Sequence, residues 1–447
     1  MNSTYETKKE ILVNEFKELI KNKSSIGLGK QTSNLFRHRE IKSKKLNVKH
    51  FNNIINIDVK NKICEVEGMT TYEKLVDETL KYGFMPTVVP QLKTITIGGA
   101  VTGVGIESSS FKYGLVHETI EEMEILLGNG QVVIANKNKN SDLFYGFPNS
   151  YATLGYVLKL KVKIVPVKKY VKLNHLHYSN SKEYFKYLDK YCNAKNNFVD
   201  GSIFDSRNMY ITLGNFVDEA PYTSNYKYMN IYYQSIKNNK DDYLTIKDYI
   251  WRWDTDWFWC SKNFGVQNKV VRFFVSWIGL KSKYYWKIMH FNRKYKLTDK
   301  FDKIFGKKHY SQTVVQDIEI PIENCVKFLE FFHKEIGIKP IWACPLKAYN
   351  KNDKFTLYLM NPNKLYVNFG FWDLVKTTEE YPEGYFDKKI EKKVKELNGK
   401  KSLYSTSYYS EEEFWKLYNK NEYFRLKKKY DSSNTFNNLY QKVVKRN

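Results

Sequence analysis

Cysteine is sparse in this chain and is never set out for chemistry. The five cysteines, at positions 64, 192, 260, 325 and 344, are odd in number, widely spaced and free of any CxxC pair. This excludes a disulfide framework and a zinc site and suits a reducing compartment, and no metal is expected. Long apolar runs are missing too. No stretch of about 18 apolar residues occurs, so no membrane-spanning helix is predicted, and the longest uncharged apolar-rich run, 273–280, is too short. The first 20 residues carry charges throughout and read as an amphipathic helix without the apolar centre of a signal peptide. A GxGxxG fingerprint is lacking, and so is an acidic residue closing a βαβ unit at the expected distance, which disfavours a dinucleotide Rossmann fold. No internal repeat is evident.

What is present is cationic and aromatic. The 447 residues carry a formal net charge of +25, with 42% hydrophobic and 16% aromatic residues. That is a globular chain with room for two or three domains. Such a field attracts nucleic acid, anionic lipid or phosphorylated cofactors, and charge alone does not choose among them. An AT-rich gene would also raise Lys, Asn and Tyr together, without selection for function. Residues 1–22 read as a helix. Residues 54–59 and 63–66 alternate as strands around a turn, and 71–82 have helical spacing up to Gly83. Residues 121–127 and 131–135 form a hairpin pattern, and 156–165 alternate again before Pro166. Mixed short strands and helices without a βαβ repeat predict an α+β class. Glycines thin out and aromatics rise after about residue 168, so a boundary is placed at 166–170. Helices are expected again at 411–418 and 423–430.

Two glycine-bearing segments are candidates for binding phosphate. Residues 96–108 read TIGGAVTGVGIES, with Gly98, Gly99, Gly103 and Gly105 inside eight residues. Glycines permit close backbone approach, and successive amides can line a concavity for a pyrophosphate. Earlier, Gly27, Gly29, Lys30, Thr32, Ser33 and Asn34 supply glycines, a cation and short hydrogen-bonding side chains. Two separated cradles suit a ligand with two phosphates and a long body.

Continuing through residue 115, the second segment resembles the FAD-binding core of the vanillyl-alcohol-oxidase/PCMH flavoprotein superfamily, and within it the delta(24)-sterol reductase group. The similar stretches are GIESSSFKYGL (105–115), NSDLFYGFP (140–148), TLGYVLKLKVKIVPVKKYVKL (153–173), VVQDIEIP (314–321), KPIWACP (339–345) and EEFW (412–415). TSNLFRHR (32–39) looks like bacterial relatives of the same group. The resemblance implies a PCMH-type FAD-binding domain over 1–167, made of two α+β subdomains at roughly 1–88 and 89–167. It implies an α+β cap or substrate domain over 168–400, and C-terminal helices, 401–447, that return to the FAD domain. The cofactor contacts it implies are the six residues of the first loop, then Thr96, Ile97, Gly98, Gly99, Ala100, Val101, Thr102, Gly103, Val104, Gly105, Ile106, Glu107 and Ser108, and Val157. Some members tether FAD through a histidine in this first loop. None stands in 27–34, so FAD is expected to be non-covalent, with His38 the only nearby candidate for attachment.

The function implied is an FAD-dependent oxidoreductase that reduces a sterol side-chain C24=C25 bond, with NADPH as electron donor. The alternative is an FAD-dependent oxidase or dehydrogenase of an alcohol or sugar, of the aldonolactone or polyprenyl-phosphoryl-sugar type. Protonating an isolated alkene requires a general acid near the flavin. Tyr404 and Tyr408 match tyrosines of the family's C-terminal motif, and Asp317 is the third candidate, as a site acid or a cap residue. Glu107 would repel a pyrophosphate and is expected to point away or make a structural hydrogen bond. The basic, aromatic stretch 249–296, with Trp251, Trp253, Trp257 and Trp259, reads either as a membrane interface or as a cap core with snorkelling cations; nucleic acid is not expected. The animal sterol reductases carry an N-terminal membrane anchor, and none is expected from the residues of this sequence. A cytoplasmic or peripheral, intracellular-membrane location is therefore expected, with a sterol or other lipid as partner.

Overall fold

The structure is a computed structural model that describes residues 4–22, 26–30, 43–276, 280, 284 and 310–446. The fold is α+β. The helix Tyr5–Lys21 starts where the Thr4 side chain accepts the Thr7 amide, and it buries Leu12 and Phe16 against Tyr156, Leu158 and Phe436. Two short parallel strands follow, β1 (Ile26–Leu28) and β2 (Lys44–Leu46). The first large sheet is antiparallel. It comprises β3 (Ile54–Asp58), β4 (Ile63–Glu67), β5 (Phe84–Pro86), β6 (Ile120–Leu126), β7 (Val132–Asn136) and β8 (Tyr156–Pro166), in the order β3-β4-β8-β6-β7 with β5 also on β8. The helix Tyr72–Leu80, capped by Thr71, and the short helix Ile97–Thr102 lie beside it.

Between Pro166 and Tyr170 the chain leaves that sheet and enters a second, also antiparallel. Its strands are β9 (Tyr170–Tyr178), β10 (Phe198–Ile203), β11 (Met209–Val217), β12 (Asp241–Thr245), β13 (Tyr310–Pro321), β14 (Ile341–Leu346), β15 (Tyr366–Thr377) and β16 (Lys400–Lys401). Their order is β12-β9-β11-β10-β14-β15-β13-β16. The two-residue period of a strand sorts its side chains between two cores. On β15, Val367, Phe369 and Phe371 pack with the helices Ser181–Cys192, Cys325–Glu335 and Tyr385–Glu396, whereas Tyr366 and Trp372 face the core shared with the first sheet. β14 divides likewise, with Ala343 on the helix side and Trp342, Cys344 and Leu346 on the other. On β13, Val314, Ile318 and Ile320 take the helix side, which turns Val315, Asp317 and Glu319 toward the first sheet.

The C-terminal helices Glu411–Leu417, Lys420–Tyr430 and Leu439–Val443 pack on the first unit. Tyr423 donates to the Thr153 hydroxyl at 2.9 Å, Lys427 donates to the Thr153 carbonyl at 2.9 Å, and Tyr430 donates to Asp142 at 2.6 Å. Among the described residues, no helix is long and apolar enough to cross a membrane, and no cluster of side chains is arranged to hold a metal ion.

The two sheets are joined by the segment that follows the glycine-rich helix. The Ser108 carbonyl accepts the Val199 amide of β10 at 2.8 Å, and the Ser108 hydroxyl pairs with Tyr249 at 2.8 Å. Arg252 sits at the centre of the joint. Its guanidinium, buried, lies 2.7 Å from Glu107 and 2.8 Å from Asp200, which also accepts the Trp342 indole N–H at 3.1 Å. The Tyr249 ring lies against the guanidinium, 4.2 Å away. Burial, and repulsion by Asp200, push the Glu107 carboxyl above its ordinary range while Arg252 pulls it down. Removing one partner of a buried pair strands the other charge. Arg252→Met is therefore expected to lower unfolding free energy by about 3–5 kcal/mol at neutral pH in chemical denaturation. The deficit should shrink toward acid pH as the stranded Glu107 carboxyl, already raised by burial, takes up a proton.

Candidate cofactor and active site

Residues 96–108 are not the open, amide-lined loop that the glycine count suggests. Thr96 caps the helix Ile97–Thr102 by accepting the Gly99 amide at 3.3 Å. The Ile97 and Gly98 amides are already taken by the carbonyls of Thr70 and Gly68, at 3.0 and 2.9 Å. The cause is close packing. A Cβ on Gly98 would lie 2.6 Å from the Gly68 carbonyl oxygen and 2.9 Å from Val157 Cγ1. Those two amides are spent within the fold, and Val157 packs beside Gly98. Ala100, Val101 and Ile106 are core residues, and the Thr102 hydroxyl returns to the Gly98 carbonyl at 2.9 Å. Glu107 and Ser108 serve the Arg252 joint. The outward edge consists of Gly99, Val104 and Gly105, which keep accessible surface. A Cβ on Gly99 would meet only the Thr96 hydroxyl, and one on Gly103 would touch the Tyr151 ring at 3.5 Å.

Of the first loop, Gly27 lies in β1, the Gly29 amide donates to the Leu46 carbonyl at 2.8 Å, and Lys30 is exposed. Thr32, Ser33, Asn34 and His38 lie outside the described residues. The two glycine segments converge on successive residues of β8. The Tyr156 hydroxyl donates to the Ile26 carbonyl at 3.2 Å, and Val157 touches Gly98. Beside them runs a left-handed bend in which Asn149, Tyr151 and Ala152 have φ of 63°, 50° and 61°, a costly conformation for residues with side chains. The Tyr151 amide donates to the Thr102 carbonyl at 2.9 Å. The Ser150 hydroxyl and the Asn149 side-chain oxygen are buried there with no partner among the described residues. Orphaned hydrogen-bonding groups beside an accessible, side-chain-free backbone edge fit a cofactor carrying phosphates and hydroxyls, such as FAD.

Across from this bend, β13 and residues 402–404 assemble an acid pair. The Tyr404 hydroxyl donates to Asp317 at 2.7 Å and accepts the Trp372 indole N–H at 2.7 Å. Asn368 donates to the other Asp317 oxygen at 2.9 Å. Burial raises the Asp317 carboxyl, and the hydrogen bonds from Asn368, Tyr404 and Trp372 oppose that rise. Asp317 and Tyr404 lie deep in the fold yet each keeps some accessible surface, as do Val104, Tyr151 and Val315 around them. These residues belong to the core that the glycine segment shares with the second sheet, one side from each, and Tyr151 is close enough to Tyr404 to help raise its hydroxyl. Two residues along β13, Glu319 accepts the Tyr358 hydroxyl, and the Ser402 hydroxyl at 3.3 Å. Burial pushes Glu319 up to about 8, with Asp317 adding to the rise.

Asp317 and Tyr404 are thus brought together, and Asp317 is an interior strand residue instead of a cap. Tyr408 is turned elsewhere: its hydroxyl donates to Glu383 at 3.1 Å and its ring lies beside Arg446 and Lys388. The tryptophans 251, 253, 257 and 259 are buried, so they form core and no exposed interface; Trp277 and Trp286 lie outside the described residues. Arg252, Asp200, Trp372, Asn368 and Glu319 were not singled out from the sequence. Arg252 had a visible signal, a lone arginine flanked by tryptophans in WRWDTDW. For Trp372 and Asn368 the signal is only their register opposite β13.

Glu319 gives a stability test. Its folded value of about 8 exceeds the ordinary glutamate value, so between these pH values the folded state holds a proton that the unfolded chain has lost. Stability should be full below about pH 4.5 and decline as pH rises toward 8. Glu319→Gln is expected to flatten that decline, gaining up to about 5 kcal/mol over wild type at pH 8 relative to pH 4.5, in denaturation series at each pH.

With this geometry in hand, comparison with known proteins is specific. Residues 21–136, which include both glycine segments, match the family described as FAD binding domain. The chain is 27% identical over 418 residues to delta(24)-sterol reductase of Homo sapiens, covering 88% of this chain and 76% of that one. It is 25% identical over 436 residues to delta(24)-sterol reductase of Arabidopsis thaliana, covering 88% and 75%. Similarity to cytokinin dehydrogenase 1 of Arabidopsis thaliana is 28% over 121 residues, 27% of this chain and 21% of that one. Residues 21–136 thus carry an FAD-binding domain of the PCMH type, and the chain is similar along most of its length to delta(24)-sterol reductases.

Proposed function

We propose that this protein is an FAD-dependent reductase of a sterol side-chain C24=C25 bond that draws its electrons from NADPH. Residues 1–167 would bind FAD without a covalent tether, 168–400 would cover the substrate, and 401–447 would brace the FAD domain. The Tyr404–Asp317 pair carries the reading. Bound FAD supplies hydride transfer. The protein must add a proton to the second alkene carbon, and no carbonyl in the substrate eases that step. Trp372 occupies one acceptor position on Tyr404 and thereby orients its hydroxyl. When Asp317 carries a proton it donates to Tyr404, and the Tyr404 hydroxyl would then turn its own proton toward the substrate. Tyr404 then gives its proton to the alkene carbon and takes the one held by Asp317. Burial, which favours the neutral form of Asp317, keeps that reserve filled. The partner is a sterol or a lipid like it, and the protein works in the cytoplasm or at the face of an intracellular membrane.

The experiment is anaerobic. The purified protein should be yellow, bleach on NADPH, and recover its colour with desmosterol. Tyr404→Phe should keep flavin content and NADPH bleaching but slow recovery by about 10²–10⁴-fold. Bleaching by an alcohol or sugar with no response to NADPH would overturn the reductase reading, and normal recovery in Tyr404→Phe would overturn the assigned acid.

A further inference from the structure

One apolar surface plays no part in the site. In the helix Lys269–Ser276, residues 270 and 274 lie one turn apart on the same face. Val270 is 66% exposed and Phe274 71%, with Phe273 (49%) and Val271 flanking them. The opposite face is fixed. Arg272 is buried and holds Asp256 with two nitrogens, at 2.6 and 3.2 Å, while its Nε donates to the Tyr228 carbonyl at 2.6 Å. The Asn268 side chain accepts the Val270 amide at 2.9 Å and starts the helix. A helix riveted by a buried arginine thus presents valine and phenylalanine outward, beside exposed Tyr228 and exposed Lys269.

Charge decides what covers it. From 277 to 309 the sequence carries ten Lys or Arg against two Asp, with eight aromatics. The whole chain stands at +25, so two copies meeting face to face would repel. Exposed Lys269 at the start of this apolar, aromatic face, the cationic stretch that follows it in sequence and the positive charge of the whole chain match an anionic lipid surface, where apolar groups enter the acyl boundary and cations meet phosphates. We infer that the outer face of helix Lys269–Ser276 docks this protein on an anionic bilayer. The inference deepens the lipid-substrate reading and rests on it only for its purpose, because docking is measured separately from the reaction.

The test uses the flavin-loaded full chain and vesicles of equal parts phosphatidylcholine and phosphatidylserine. Wild type should co-sediment with them at low salt, bind less as salt rises, and bind less to phosphatidylcholine alone. The variant V270E/F274E should lose binding by about tenfold or more, while its flavin content and NADPH bleaching stay at wild-type levels. Because both side chains are exposed, the variant should fold, and an unchanged thermal midpoint checks this. A wild type that ignores the anionic vesicles overturns the inference, as does a double variant that binds them equally well. If wild type instead self-associates without binding vesicles and the variant is monomeric, the face belongs to a second copy, and the inference is again overturned. Docking that holds while NADPH fails to bleach the flavin leaves the inference standing and removes the reductase reading.

Discussion

The buried Arg252 joint is the constraint from which the rest of the architecture follows. One guanidinium is shared by Glu107, from the segment after the glycine-rich helix, and Asp200, from the interior of the second sheet. Neither sheet can shift against the other without pulling a carboxylate from the buried cation that both share. The Ser108 carbonyl on Val199 and the Ser110 carbonyl on Lys347 add main-chain bonds across the same seam. A buried ion pair adds little net stability over an apolar substitute of similar shape, but it tolerates only one registration. Registration matters here because the candidate site lies between the sheets and takes one wall from each.

Those walls are set by strand periodicity. β13 sends Val314, Ile318 and Ile320 into the helix-covered core, and the two-residue repeat then delivers Asp317 and Glu319 to the opposite side. The long pairing with β15 brings Asn368 and Trp372 alongside them. On the facing wall, Gly98 lets the short helix sit on the Gly68 carbonyl and on Val157, a distance no other residue could reach. That close seat leaves Gly99 accessible at the outer edge. The glycines therefore act in two ways, Gly98 by packing inward and Gly99 by leaving the outer edge clear.

Local patterns were legible in the sequence, and long-range pairings were not. The strand–turn–strand at 54–66, the helix from Thr71 to Gly83, and the hairpin at 121–135 appear where alternation and turn residues put them. The FAD-binding resemblance was legible because its motif is contiguous. Glycine count does not fix the local structure of 96–108, since an open loop and a tightly seated helix have the same composition and differ only in where the amides go. Arg252 sits 145 residues from Glu107 and 52 from Asp200 in sequence, and no local rule joins them. Trp251, Trp253, Trp257 and Trp259 could equally have lain at a surface; their burial depends on a tertiary packing that their spacing does not encode.

The acid pair also bears on the direction of the proposed reaction. Oxidising an alcohol needs a base that is ionised before substrate arrives, whereas adding hydrogen across an alkene needs an acid that still holds its proton. A single Tyr–Asp pair could serve either chemistry, and its surroundings supply the bias. Around Asp317 no lysine or arginine makes an ion pair among the described residues; its hydrogen bonds come from a neutral amide and a phenol, and burial favours its protonated form. The next carboxyl along the strand, Glu319, is likewise held by hydroxyls alone and raised to about 8. Two acids on one strand face, neither in an ion pair among the described residues, make an environment that stores protons. That environment suits reduction of an isolated double bond better than abstraction of a proton from an alcohol.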